Sequence, residues 1–393
     1  MPLDFAAIQP QIAQMIGRAQ TQSTADQLQA ACELLRTTDS ARLRQVLQER
    51  QQRDRIPWLV ATPRGQIGAR HAVGPLPGPD FSVLASDGSS IPPDRHSPLR
   101  FFLVNVGLAL LTYGRRPDAQ LWAQSRFRSD EQDIYIRTEG RRIPMEGARM
   151  GLQMALDELQ ALWEAAQNVV SGLPLLALRD GSLIFWALQS EEEAVVGHFL
   201  PQILDCLDRF RMAGIPIGSF ISYPGAQDVA NTLRLLICGQ DPKHCGQCAG
   251  ATDQERSLCR AVADFRDQAL FLRHLRPGER STVFDSSSTI LDRYGEQRVQ
   301  FAYLHTGDEI ARLEAPQWVM SDETMRDFLF AAVMDQCRRG RGYPACLMEA
   351  HEQAVITTGE RYLVEQMVEE TLAERGLVYV RSAKDRSKRE RGV

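Results

Sequence analysis

The sequence predicts an α/β fold, and three observations carry that expectation. Two short apolar runs, Ser82-Val83-Leu84-Ala85-Ser86 and Leu175-Leu176-Ala177-Leu178-Arg179, lead into the same tripeptide, Asp87-Gly88-Ser89 and Asp180-Gly181-Ser182. An apolar run of this length closed by a turn signal reads as a buried strand. Helix-prone segments then alternate with short extended ones, strands first and helices later. That order suggests an α/β core with decorations rather than a repeat protein.

The elements follow in order. Residues 5–54 are helix-prone, with Leu28, Ala31, Leu34 and Leu35, then Leu43, Val46 and Leu47, at helical spacing. Residues 1–58 are expected to form an N-terminal helical arm, either a hairpin packed on the core or a partner contact. Residues 59–80, with Gly74-Pro75-Leu76-Pro77-Gly78-Pro79, read as a linker or long loop. The main domain is expected over 81–380. It opens with a strand ending at Asp87, followed by strand-like runs from Phe101 to Tyr113 and from Asp133 to Thr138. A helix over about Glu146 to Val170 gathers Met150, Met154, Leu159, Leu162 and Trp163 near one face. After the second Asp-Gly-Ser strand, Glu191 to Ala213 reads as helix and Ile215 to Tyr223 as extended. Residues 299–306 and 310–315 read as a hairpin. Within it Arg312 and Glu314 share a face at moderate reach only, so no ion pair is expected between them. Helices are expected from Asp322 to Cys337 and from Tyr343 to Arg375, then a short strand at Val378 to Val380 and a disordered basic tail over 381–393.

The length of 393 residues suits one large or two ordinary domains, and 44% hydrophobic with 24% charged residues describes a soluble globular chain. No apolar stretch reaches the length of a membrane span; the longest, Phe101 to Thr112, is interrupted by Asn105. The N-terminus shows no basic region followed by an apolar core, so a cytoplasmic location is expected. A net charge of −5 argues against nucleic-acid binding through global charge, though a nuclease needs only a local basic groove. Arg115-Arg116, Arg141-Arg142, Arg338-Arg339-Gly340-Arg341 and Lys384 to Arg391 are solvated faces singly and a source of phosphate contacts together.

Eight cysteines without a secretory context imply reduced thiols. Four of them, Cys238, Cys245, Cys248 and Cys259, fall in an apparent insertion at about 238–260. The Cys245-Gly246-Gln247-Cys248 spacing, with His244 beside it, makes a candidate zinc or iron–sulfur site. Unliganded cysteines are the favoured reading, and Cys32, Cys206, Cys337 and Cys346 read as packed apolar residues.

A carboxylate at the end of a buried strand is costly unless its charge is compensated. Two such ends on adjacent strands would favour a hard divalent cation such as manganese or magnesium. Asp-Gly is equally a plain turn signal, so further residues are needed. The helix before the second tripeptide offers Glu146, Asp157, Glu158 and Glu164, which spacing alone does not separate. Tyr343 and His351, eight residues apart, share one side of a helix.

Taken in order, the motifs resemble those of the NurA family, nucleases that partner the hexameric HerA translocase in DNA end processing. They are Ala85-Ser86-Asp87-Gly88-Ser89, then Leu178-Arg179-Asp180-Gly181-Ser182-Leu183. Phe301-Ala302-Tyr303 follows, with Ala311-Arg312-Leu313-Glu314-Ala315-Pro316. Gly342-Tyr343-Pro344 with Glu349-Ala350-His351 closes the set. The resemblance covers roughly residues 80 to 375. It implies an RNase H-like mixed β-sheet core flanked by helices, with acidic residues clustered on its central strands. It also implies a manganese- or magnesium-dependent DNA nuclease with 5′-to-3′ exonuclease and single-strand endonuclease activity. Such an enzyme acts in end resection and double-strand break repair, as a homodimer docked on a HerA-type hexameric ATPase. Carried over residue by residue, Asp87 and Asp180 match the strand ligands, Glu158 best fits the helical glutamate, His351 completes the metal site and Tyr343 stands beside it. The cysteine segment lies outside the family pattern. Two other readings share the fold, a catalytically inactive scaffold for the translocase and an RNA-directed nuclease.

Overall fold

A computed structural model describes residues 4–19, 23–53, 56–94, 100–169, 172–237, 252, 256, 259, 262–263 and 265–376. Cys238, Cys245, Cys248, the expected strand at Val378 to Val380 and the basic tail lie outside them. Packing groups the chain into two units. One comprises Met1–His71, Tyr223–Ser287 and Ala302–His305; the other comprises Ala72–Ser222, Ser288–Phe301 and Thr306–Val393.

The second unit carries Asp87, Glu158, Asp180, Tyr343 and His351. Its strands β1 (Phe81–Ile91), β2 (Phe102–Tyr113) and β3 (Asp118–Arg128) form an antiparallel meander, in which Gly107 lies opposite Asp87 on one side and Ala123 on the other. β4 (Leu175–Asp180) pairs parallel with β1, and β5 (Ile217–Ile221) pairs parallel with β4. β6 (Ile310–Pro316) then adds antiparallel to β5. The order β6-β5-β4-β1-β2-β3, with an antiparallel meander leading into two parallel strands, is the RNase H-like arrangement.

Parallel neighbours need crossover connections, and helices supply them. Helix α1 (Ala148–Gln167) lies between β3 and β4 in the chain, and α2 (Glu193–Ala213) between β4 and β5. Leu159 and Leu162 of α1 and Phe199 and Phe210 of α2 are fully buried in the core they share with Leu84 and Val104 of the sheet. Helix α3 (Glu323–Arg339) is followed by α4 (Ala345–Ala354), which packs on β1 and β2.

Several expectations are corrected. The first Asp-Gly-Ser does not end its strand. β1 runs on to Ile91, because Gly88, Ser89 and Ser90 keep pairing with Val106, Asn105 and Val104. The second does end its strand, and Gly181 turns the chain at φ 78°. The helix expected from Tyr343 to Arg375 is two helices, α4 and α5 (Thr358–Glu374). Pro344 restricts Tyr343 before it to non-helical backbone. Thr357 then caps α5 in a reciprocal box, its Oγ1 accepting from Glu360 N at 3.2 Å while Glu360 Oε2 accepts from Thr357 N at 2.8 Å. β3 was not expected at all. The Asp133 to Thr138 run begins as the helical turn Glu131–Ile134, and only Tyr135–Thr138 is strand, paired with Arg141–Pro144.

In the first unit, Ala31, Leu35 and Leu43 of the N-terminal helices are fully buried. The 59–80 segment, expected to be linker, contains the strands Ala61–Pro63 and Arg70–Ala72, and the former pairs with Phe284–Ser286. Buried Asp267 accepts hydrogen bonds from Val229 N (3.0 Å) and Ala230 N (2.8 Å), at the start of the helix Asp228–Ile237, and from Tyr303 OH (2.6 Å). Cys259 is partly exposed. Among the described residues no helix is long and apolar enough to cross a membrane.

Candidate active site

Asp87 sits midway along β1, in register with Gly107 of β2. Its Oδ1 accepts from Gly88 N at 2.8 Å, and its Oδ2 lies 2.6 Å from His351 Nδ1. His351 is carried by α4 and stays 60% exposed, while Asp87 is 15% exposed. Asn105 holds the end of that helix. Its Nδ2 donates to Gln353 O (3.0 Å) and Ala354 O (2.9 Å), two carbonyls that the helix itself cannot satisfy. Asn105 Oδ1 in turn accepts from Ser125 Oγ on β3 at 2.7 Å.

Asp180 is the last residue of β4. Burial and then the negative charge of Asp87 hold its carboxyl above the usual range, against the Gly181 N–H and the Tyr343 hydroxyl, which both hydrogen-bond it. Burial pushes the Tyr343 phenol up, with Asp180 and Asp87 adding to the effect, so the hydroxyl stays protonated and donates. Tyr343 lies in the turn before α4 rather than on a helix with His351; its ring packs edge-on against Phe220, 5.4 Å between centroids.

Glu158 projects from α1 with 2% exposure and pairs with Arg179 Nε at 2.7 Å. Burial raises its carboxyl to about 7; Arg179 acts in the opposite direction, and Asp87 and Asp180 raise it further. The charges of Asp87, Glu158 and Asp180 therefore bear on one another. The other acidic candidates face elsewhere, and Glu146 lies before α1 rather than on it. Glu146 pairs with Arg100 (3.3 Å), Glu164 is 55% exposed beside Arg126 (3.5 Å), and buried Asp157 holds Arg126 (3.2 Å) and Arg128 (2.6 Å). A glycine makes room for Glu158. A Cβ at Gly88 would collide with Glu158 Oε1 and lie 2.7 Å from Met154 Cγ.

Sequence reasoning passed over Arg179, Asn105 and Gly107. Arg179 carried a usable signal, because an arginine inside an otherwise buried strand requires a carboxylate partner. Arg312 and Glu314, expected not to pair, form an ion pair at 2.8 Å with 3% and 0% exposure. The arginine stem is long enough to bring its guanidinium back along the strand, a reach that Cβ spacing does not convey.

Among the described residues no three His, Cys, Asp or Glu side chains are already gathered to hold a metal ion. Glu158 is turned onto Arg179, and Asp87 is within hydrogen-bond distance of His351. The donor chemistry nevertheless fits a hard divalent cation, since the charges of Asp87 and Asp180 both raise the Glu158 carboxyl, that of Asp87 raises Asp180, His351 stands at Asp87, and Arg179 offers local compensation.

A pH dependence follows. The native Glu158 carboxyl, raised to about 7 from 4.5, keeps a proton that the unfolded chain releases. Its contribution to stability is full below about pH 4.5 and is lost as pH rises through about 7. Melting temperatures in chelator are expected to fall across that window, and Glu158→Gln is expected to flatten the fall.

The family model described as the NurA domain matches residues 81–356. No curated protein matches the chain. Among solved structures, the NurA nuclease from Sulfolobus solfataricus is 13% identical with a TM-score of 0.45, covering 75% of this chain and 85% of that one. A structure of NurA with manganese is 11% identical with a TM-score of 0.31, covering 76% and 90%. LC9-RNase H1 is 12% identical with a TM-score of 0.23, covering 41% and 72%. With its domain matched over more than half its length, the chain belongs to the NurA family.

Proposed function

We propose that this protein is a divalent-metal-dependent DNA nuclease, with 5′-to-3′ exonuclease and single-strand endonuclease activity. In this reading it works in the cytoplasm on DNA ends during double-strand break repair, as a homodimer fed by a HerA-type hexameric ATPase. The observation that carries the proposal is that the charges of Asp87, Glu158 and Asp180 bear on one another, with His351 at Asp87 and Tyr343 beside Asp180.

Asp87, Glu158, Asp180 and His351 would hold manganese or magnesium, which when bound supplies Lewis-acid activation of the phosphate and of water. The chain's own groups do the rest. Arg179 keeps Glu158 oriented and offsets part of the acidic charge. The protonated Tyr343 supports the Asp180 carboxyl and would orient the phosphate or the attacking water. Asp87 orients the His351 ring through Nδ1, and that ring stays exposed enough to meet a substrate. Without a cation, the same carboxylates repel a phosphodiester.

The test is cleavage by the purified full-length protein of matched single-stranded DNA, end-bearing duplex and single-stranded RNA, with manganese, magnesium or chelator. DNA cleavage that requires a divalent cation is expected. A protein that cuts nothing with any divalent ion is the inactive scaffold instead. Faster cutting of the matched RNA replaces the DNA reading with the RNA-directed one. Light scattering, alone and with a hexameric ATPase, tests the dimer and its docking.

A further inference from the structure

Glu314 lies fully buried in β6 and was left outside the expected site. A buried carboxylate is tolerated when it is paired and its lone pairs are hydrogen-bonded. Oε1 accepts from Arg312 Nε at 2.8 Å. Oε2 accepts from Ser182 Oγ at 2.7 Å and from Leu183 N at 2.9 Å. Ile184 N adds a longer contact at 3.4 Å, and all three donors on Oε2 belong to the turn that directly follows Asp180.

Arg179 grips the same turn. Its Nη1 donates to Ser182 O at 2.8 Å, while its Nε donates to Glu158 Oε2 at 2.7 Å. Tyr294 closes the turn, its hydroxyl donating to Leu183 O at 3.1 Å and accepting from Phe185 N at 3.0 Å. Arg312 is itself braced, with its guanidinium 3.6 Å from the centroid of the Phe301 ring. Charge therefore alternates along Glu158, Arg179, Glu314 and Arg312, and the turn is clamped between an arginine and a glutamate.

We propose that Glu314 is a positioning residue for the active site: by fixing the turn at 182–184 it fixes the end of β4, and with it Asp180 and the guanidinium that holds Glu158. The inference deepens the metal-dependent reading and rests on it. The competing explanation is purely structural, namely that Glu314 serves to neutralise buried Arg312. The two separate because a buried ion pair can be replaced by uncharged residues without loss of stability, whereas breaking it one-sidedly is costly.

The experiment compares full-length wild type, Glu314→Gln and the double variant Arg312→Met with Glu314→Gln. The readouts are melting temperature in chelator, hydrogen exchange of the peptide spanning the turn, and manganese affinity by calorimetry. Both variants are expected to exchange faster at the turn and to bind manganese about 10- to 100-fold more weakly, as loss of an outer-shell support does. The double variant is expected to regain the wild-type melting temperature without regaining affinity. The proposal is overturned if the double variant recovers affinity together with stability, or if the turn stays protected in both variants. No manganese binding by wild type counts against the metal-dependent reading instead, and the exchange data then decide alone whether Glu314 fixes the turn.

Discussion

Replacing Asp87 by alanine is expected to lower cation-dependent DNA cleavage by at least about 100-fold, the scale on which removal of one preorganised electrostatic group acts, while leaving the metal-free fold as stable as before or more so. The two halves of this expectation come from one geometry. Asp87 contributes to holding the Glu158 and Asp180 carboxyls above their ordinary range, so removing it relieves repulsion in the absence of a cation. What the fold loses is the local hydrogen bond from Gly88 N and the contact with His351, which at 60% exposure contributes little. A residue that served packing would show the opposite pattern, with stability falling first. Initial rates on single-stranded DNA, paired with melting temperatures in chelator, separate the cases. Glu164→Ala is the control, because that carboxylate is exposed and turned toward Arg126. Unchanged cleavage by Asp87→Ala would mean that the chemistry resides elsewhere.

The sequence disclosed the parts of this site whose signal is local. Apolar runs closed by Asp-Gly-Ser marked β1 and β4, and buried strands of this kind read out directly as composition. Beyond that point the reading depended on which face each residue takes. Asp157, Glu158 and Glu164 occupy one helix, and only packing shows that Glu158 turns toward Arg179 while Asp157 turns toward Arg126 and Arg128. β3 escaped notice because it lies at the end of the sheet order, exposed along most of its length, and so lacks the apolar pattern that marked its neighbours. The role of Glu314 escaped because its partners in the turn after β4 lie 130, 131 and 132 residues away. No local pattern encodes such a contact.

Gly107→Ala is expected to give the largest loss of stability together with a loss of cleavage, and it tests how His351 reaches Asp87. Gly107 lies opposite Asp87 in the β1–β2 register, so a side chain there would point to the same face. A Cβ at this position would collide with Ala350 O and Ala354 N and lie 2.8 Å from Gln353 C, all backbone atoms of α4. Backbone cannot swing aside as the end of a flexible side chain can, so the helix must lift. Overpacking of this kind costs about 1–3 kcal/mol or more, and lifting also strains the two hydrogen bonds from Asn105 to the carbonyls of Gln353 and Ala354. His351 stands on the same helix one residue after Ala350, and it moves with that backbone. Gly107→Ala should therefore lose stability and cleavage together, whereas Asp87→Ala loses cleavage alone. If Gly107→Ala kept the wild-type rate despite a lower melting temperature, the approach of α4 to the sheet would be a matter of packing, and His351 would not need its present position for the reaction.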